Sequence, residues 1–299
     1  EGHKNSVVWL SLSPDGRTFM SAGTDQRIKL WDFATRRFVR DVGVQDGMAR
    51  TALFLPDGQR ALTCGDDGTI VLRSVSDGSV IHVFSAKDHG GANKLALSRD
   101  GRIAVSVHGN GMVVAWDIER RAVLHVMGRH AWSISGVAIS PDGKRAVSGG
   151  IDGGLKLWDL ETGKELRAWL GHGRGTYGAL YTPDGRQFIT ASGDYTIKVW
   201  DAETARLVRQ LDGHFGTVYA LDIASDGKRL ASASLDGTAR IWDLETGEEI
   251  AQFSPGTGPL YAIAFGPEGT LITAGNDRAI RIWPAKGGED VALIPGAAE

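Results

Sequence analysis

The sequence predicts an all-β fold, a β-propeller of seven blades with four antiparallel strands in each. Three observations predict it: a turn tripeptide that recurs seven times, an indole side chain repeating in phase with it, and short alternating apolar runs between the two. The turn is Pro14-Asp15-Gly16, repeated as Pro56-Asp57-Gly58, Pro141-Asp142-Gly143 and Pro183-Asp184-Gly185. Weaker copies stand at Arg99-Asp100-Gly101, Ser225-Asp226-Gly227 and Pro267-Glu268-Gly269, so that successive turns are 42 or 43 residues apart. The indoles are Trp31, Trp116, Trp158, Trp200, Trp242 and Trp283, 41 to 43 residues apart once Arg73 is counted in the second copy.

Each unit then divides into strands. Val7 to Leu12, Thr18 to Ala22 and Ile28 to Trp31 are short runs bounded by turn residues, which is the pattern of strands in a sheet. Four strands of about five residues with four turns fill about 40 residues, one blade. A lone blade cannot cover both of its faces, so consecutive blades must stack, and a closed ring protects the strand edges. The chain therefore reads as one domain over 1–299, with blades at about 1–42, 43–84, 85–127, 128–170, 171–211, 212–253 and 254–295. The last strand of blade 7 is open to two readings. The apolar run Val291 to Ile294 can supply it, or Glu1-Gly2-His3 can be the end of an outer strand that competes for that place.

Composition agrees with a globular chain: 42% of the 299 residues are hydrophobic and 23% charged, and the 41 glycines are spread as turn residues rather than gathered in a linker. A formal charge of −3 with no basic stretch argues against nucleic acid as a partner. No apolar run reaches transmembrane length, and the lone Cys64 excludes an internal disulfide framework. No signal peptide or lipidation motif is visible, so the expected compartment is the cytoplasm; the chain starts at Glu1 without methionine, and a targeting segment could have been removed.

Inside the repeats the offsets are nearly rigid. His3 precedes Asp25 by 22 residues and Asp25 precedes Trp31 by six; His130, Asp152 and Trp158, then His172, Asp194 and Trp200, then His214, Asp236 and Trp242 repeat this, with Ser21, Ser148, Thr190 and Ser232 four before each aspartate. With the Gly-His pairs at Gly2-His3, Gly171-His172 and Gly213-His214 and the Trp-Asp pairs from Trp31-Asp32 to Trp242-Asp243, the chain resembles the WD40-repeat family over essentially its whole length. The near-identical repeats resemble bacterial members, often fused to other domains.

The resemblance implies that histidine, hydroxyl, aspartate and tryptophan form a buried chain of hydrogen bonds in blades 1, 4, 5 and 6. Blade 2 has Gln45 and Arg73 in place of histidine and tryptophan, blade 3 has Asp88 and Asn110 in the histidine and aspartate positions, and blade 7 lacks the histidine, so softer packing is expected there. Arg73 reads as a side chain that snorkels to the surface. Ser148, His130 and Asp152 have the composition of a hydrolytic triad, but the same trio recurs in four blades, whereas a catalytic constellation is built once; no catalytic residue is expected.

By the same resemblance, partners use the top rim. There the residue fifth after the histidine is Arg50 in blade 2 and Tyr177, Tyr219 and Tyr261 in blades 5 to 7, and the residue before the turn aspartate is Asp66 in blade 2 and Leu235 in blade 6. Three tyrosines on consecutive blades form an arc around the central opening, with Leu235 as an apolar floor, Arg50 and Asp66 as a charged pole across the ring, and Trp132 on the same face. Trp9 and Trp169 read as packing residues, between blades or on an outer strand. The expectation is a non-enzymatic scaffold for a protein or peptide, monomeric, without cofactor or metal, and a regulatory or assembly module of a larger protein. Two alternatives stay open: that the tyrosines only pack the funnel, and that the funnel takes a small ligand, a metal at His89 and His108, or a substrate.

Overall fold

A computed structural model describes residues 2–85, 88, 90–284 and 292–296. It contains seven four-stranded antiparallel sheets, and in each the four strands follow one another in chain order. Blade 1 is built from Val7–Leu12, Thr18–Gly23, Arg27–Asp32 and Phe38–Val44. The fourth strands of blades 1, 2 and 3 end at Val44, Ser85 and Arg129, one or two residues beyond the limits set from the repeat.

The tripeptide turn works through its glycine and aspartate. Gly16 has φ +70°, a left-handed conformation that a Cβ would strain, and its N–H donates to the Ser13 carbonyl at 2.9 Å. Asp15 accepts from the Ser13 hydroxyl at 2.7 Å and from the Arg17 N–H at 3.0 Å, so the first two strands are joined at a fixed register. The aspartate of the Trp-Asp pair does the same between the third and fourth strands: Asp32 accepts from both the N–H and the hydroxyl of Thr35 at 2.7 Å.

Burial explains why strand patterns differ across a blade. Second and third strands are covered on both faces by neighbouring blades, and Phe19, Met20, Ala22 and Ile28 have no exposure, so these strands read as unbroken apolar or small runs. Fourth strands face solvent on one side, where Val39, Val80, Val123, Leu207 and Ile250 are exposed. Close approach between blades needs small residues, and a Cβ on Gly149 would meet the Thr176 side chain of the next blade at 2.5 Å.

Blade 7 packs on blade 1 through Ala262, Ala264, Ile272 and Ile280 against Val7, Leu10 and Phe19. The fourth strand of blade 7 is Ala292–Ile294, paired to the third with Ile294 opposite Ile280. Of the two readings for that strand, the structure shows the apolar run. Glu1, His89 and Val291 lie outside the described residues.

Candidate functional site

The polar markers lie inside the blades. In blade 1 the Trp31 indole N–H donates to Ser21 Oγ at 2.7 Å, and His3 Nε2 meets the same oxygen at 2.6 Å. Because the hydroxyl accepts from the indole, its own proton goes to His3 Nε2, and the histidine keeps its proton on Nδ1, which donates to Asp25 at 2.9 Å. Blades 5 and 6 repeat this, with His172 joining Thr190 and Asp194 at 2.7 and 3.0 Å and His214 joining Ser232 and Asp236 at 2.8 and 2.7 Å. Burial acts to raise the pKa of Asp25, Asp194 and Asp236, but the bonds from histidine and backbone N–H outweigh it and hold all three low. Ser21, Ser148, Thr190 and Ser232 have no exposure, so none can act as a nucleophile on a bound substrate.

Blade 4 departs from the expected set. His130 and Trp158 share Ser148 at 2.7 and 2.8 Å, but Asp152 accepts from the Gly154 N–H at 2.9 Å and makes no hydrogen bond to His130 among the described residues. Without that carboxylate bond, burial, helped by the charge of Lys156, pushes the His130 pKa down to about 4.

In blades 2 and 3 other side chains serve the same hydroxyl. Arg73 does not reach the surface; it is 7% exposed, and its guanidinium donates to Thr63 Oγ1 at 3.4 Å, the Val44 carbonyl at 3.0 Å and Gln45 Oε1 at 3.4 Å. The neighbouring backbone carbonyl and the glutamine amide give the planar cation enough acceptors to stay inside. In blade 3, His108 takes the place of the loop histidine: its Nε2 is 2.7 Å from Ser106 Oγ, which accepts from the Trp116 indole at 2.8 Å. Ser106 and His108 are two apart on one strand and so share a face, and His108 is fully buried rather than poised at a metal site. No group of three metal-ligating side chains is found among the described residues.

The three tyrosines sit half-buried at the mouth of the central channel and touch. Tyr177 and Tyr219 stack with ring centroids 5.4 Å apart, and Tyr219 meets Tyr261 edge-on at 5.5 Å. Arg50 pairs with Asp66 at 2.7 Å, but it borders the tyrosines instead of standing apart from them: it lines one cavity with Tyr177 and Tyr219 and acts on the Tyr219 hydroxyl, whose pKa burial raises. Leu235 lies on the outer rim and lines neither channel cavity. Trp9 is on the first strand of blade 1, where it packs toward Ala49 and Ala52 of blade 2 and faces the channel, while Trp169 packs on Phe188 and Trp200.

Exposed large apolar side chains fall into two groups. One is on the fourth strands; the other is Trp132 (63% exposed), Ile151 (43%), Tyr195 (41%), Phe215 (84%) and Leu235 (37%). All five of these lie before a first strand or between a second and third strand, which is one end of the ring, and all belong to blades 4, 5 and 6. Phe215 and Tyr195 carry no repeat marker. Their signal was a comparison of copies: Phe215 follows the histidine where the other blades have Lys4, Ala131 and Gly173, and Tyr195 holds φ +74° at a turn where blades 2, 3, 4 and 6 use glycine. A left-handed tyrosine costs about 1 kcal/mol of backbone strain.

The family model described as WD domain, G-beta repeat matches residues 1–32, 45–74, 121–159, 163–201, 205–243 and 247–284. A guanine nucleotide-binding protein subunit beta of Oryza sativa subsp. japonica is 34% identical over 124 residues, 39% of this chain and 33% of that protein. Cilia- and flagella-associated protein 52 of Chlamydomonas reinhardtii is 27% identical over 136 residues (45% and 22%), and apoptotic protease-activating factor 1 of Homo sapiens is 27% identical over 123 residues (39% and 10%). The aligned part spans a third or less of the length of these relatives. All three come from eukaryotes and lend no support to a bacterial affinity for the repeats.

Proposed function

Because the chain belongs to the WD domain, G-beta repeat family, we propose that it works as a non-enzymatic platform on which a protein or peptide docks across the top of blades 4, 5 and 6. One observation carries this reading. Apart from the fourth strands, every large exposed apolar side chain among the described residues stands in the top loops of those three blades, and blades 5 and 6 also carry Tyr177 and Tyr219 of the touching tyrosines. Exposed apolar and aromatic side chains gathered at one end of a ring are what a partner desolvates, and rigid aromatics supply most of the binding energy in such contacts. A guanine nucleotide-binding protein subunit beta is by its name one subunit of a larger assembly, in line with a module that serves by association. In this reading the domain is monomeric, binds neither nucleic acid nor membrane, and acts in the cytoplasm; no helix among the described residues is long and apolar enough to cross a membrane.

Exchange of the two most exposed aromatics tests it. W132S/F215S removes apolar surface without touching the core, so the melting temperature stays within about 2 °C, since exposed positions contribute within about 0.5 kcal/mol. Affinity capture from the native source, read by mass spectrometry, should lose the proteins that wild type retains by at least tenfold. Equal retention by the variant would overturn the docking assignment.

A further inference from the structure

Two hydrogen-bond donors at the mouth of the channel, the Lys94 ammonium and the Trp9 indole N–H, are short of acceptors. Lys94, on the first strand of blade 3 (Ala92–Leu97), lines both the upper cavity beside Tyr177 and Tyr219 and the lower cavity of the channel. Its ammonium has three donors and one hydrogen-bonded acceptor, the Tyr177 carbonyl at 2.6 Å, and otherwise lies over the rings of Trp9 and Tyr219 at 5.3 and 5.8 Å. Among the described residues it makes no ion pair with a carboxylate, and Asp66 pairs with Arg50. The Trp9 indole N–H is buried and also lacks an acceptor. Burial, with the charge of Arg50 behind it, pushes the Lys94 pKa down to about 8, so the ammonium is held there at a cost that an anion would offset.

We infer that the upper cavity is a carboxylate pocket, filled by the docked peptide with a glutamate or aspartate side chain or with its chain terminus, Lys94 Nζ acting as the ion partner. In the upper cavity Lys94 and Arg50, the latter paired to Asp66, leave one positive charge, which matches a carboxylate and not a phosphate dianion; Asp222, the carboxyl that lines the lower cavity with Lys94, accepts from the Phe265 and Ile223 N–H. Size agrees, since a cavity of about 230 Å³ accepts one carboxylate and its methylene stem. The inference rests on the docking reading above for its occupant, but the pocket can be tested apart from it.

Three short peptides serve as probes on the whole chain at pH 7, followed by the shift of the Trp9 indole N–H resonance: acetyl-Gly-Glu-Gly-amide, its Gln counterpart, and acetyl-Gly-Gly-Gly with a free terminus. One carboxylate peptide, which identifies the source, should bind at least tenfold more tightly than the Gln peptide. Lys94→Met should reduce that preference below twofold. Asp66→Asn, an exposed change that frees Arg50, should tighten carboxylate binding severalfold, and it decides the matter if Lys94→Met does not fold.

No preference in wild type, a preference that survives in folded Lys94→Met, or an Asp66→Asn variant with unchanged affinity would each overturn the pocket. So would a phosphoserine peptide that binds more tightly than the Glu peptide. W132S/F215S separates the two readings. Capture that persists in that variant sinks the docking arc and leaves the pocket standing, whereas rim-dependent capture with no carboxylate preference sinks the pocket alone.

Discussion

His130 shows how one missing hydrogen bond changes what a repeated residue does. Its pKa lies near 4 against 6.5 for the ordinary group, so above pH 6.5 it is neutral both folded and unfolded and costs nothing. Below 6.5 the unfolded chain takes up a proton that the folded one refuses until about pH 4. Stability is therefore lost across that window, by roughly 3 kcal/mol at its lower end. Urea unfolding of wild type and His130→Gln at pH 7 and pH 5 should show a steeper loss in wild type, by about 2 kcal/mol; parallel losses would contradict the burial of a neutral imidazole. Sequence spacing put Asp152 where it could bond His130, and the spacing is the same as in blades 1, 5 and 6. The bond from the N–H two residues on is common to all four blades, since Asp25, Asp194 and Asp236 accept from Arg27, Thr196 and Thr238 as Asp152 does from Gly154; what blade 4 lacks is the contact to the histidine, which the offsets alone do not fix.

At the scale of the element, a blade needs its buried hydroxyl served more than it needs a particular server. Blade 3 uses a histidine from its own second strand, blade 2 uses an arginine with a glutamine, and Trp283 in blade 7 donates to Thr273 at 2.8 Å. The softness expected of blade 3 thus meets a network with distances like those of blade 4. Ser106→Ala and Ser148→Ala should each cost about 1–3 kcal/mol, because each leaves an indole N–H buried and unpaired. Chemical denaturation decides it: a Ser106→Ala cost well under half that of Ser148→Ala would restore the soft blade.

What was legible in the sequence follows the same line. Turn tripeptides and indoles are local requirements of backbone and packing, so they repeat and can be read. His108 and Arg73 replace a partner by a different route, and only the pairing of a lost loop histidine with a histidine two after the serine gives a hint. The longest gap of the family model is at residues 75–120, which hold the inner three strands of blade 3.

Across the whole molecule, the ring makes the blades alike inside and leaves the top loops free to differ. Blades 1 and 3 to 7 all keep the hydroxyl–tryptophan bond in their interiors, yet among the described residues Trp132, Ile151, Tyr195, Phe215 and Leu235 stand above blades 4, 5 and 6 alone. The tyrosine arc was legible because it falls at one position of the repeat on consecutive blades; the outer part of the surface was not, because loop residues without a repeat marker are visible only once their exposure is known. Hydrogen exchange measured by mass spectrometry on the chain alone and with its captured partner tests the central claim most directly. Docking on the top of blades 4 to 6 predicts slowed exchange in the loops around residues 131–133, 151–153, 193–196, 214–217 and 235–237, with the tripeptide turns at the opposite end unchanged. Slowing confined to those turns, or to the fourth strands, would contradict it.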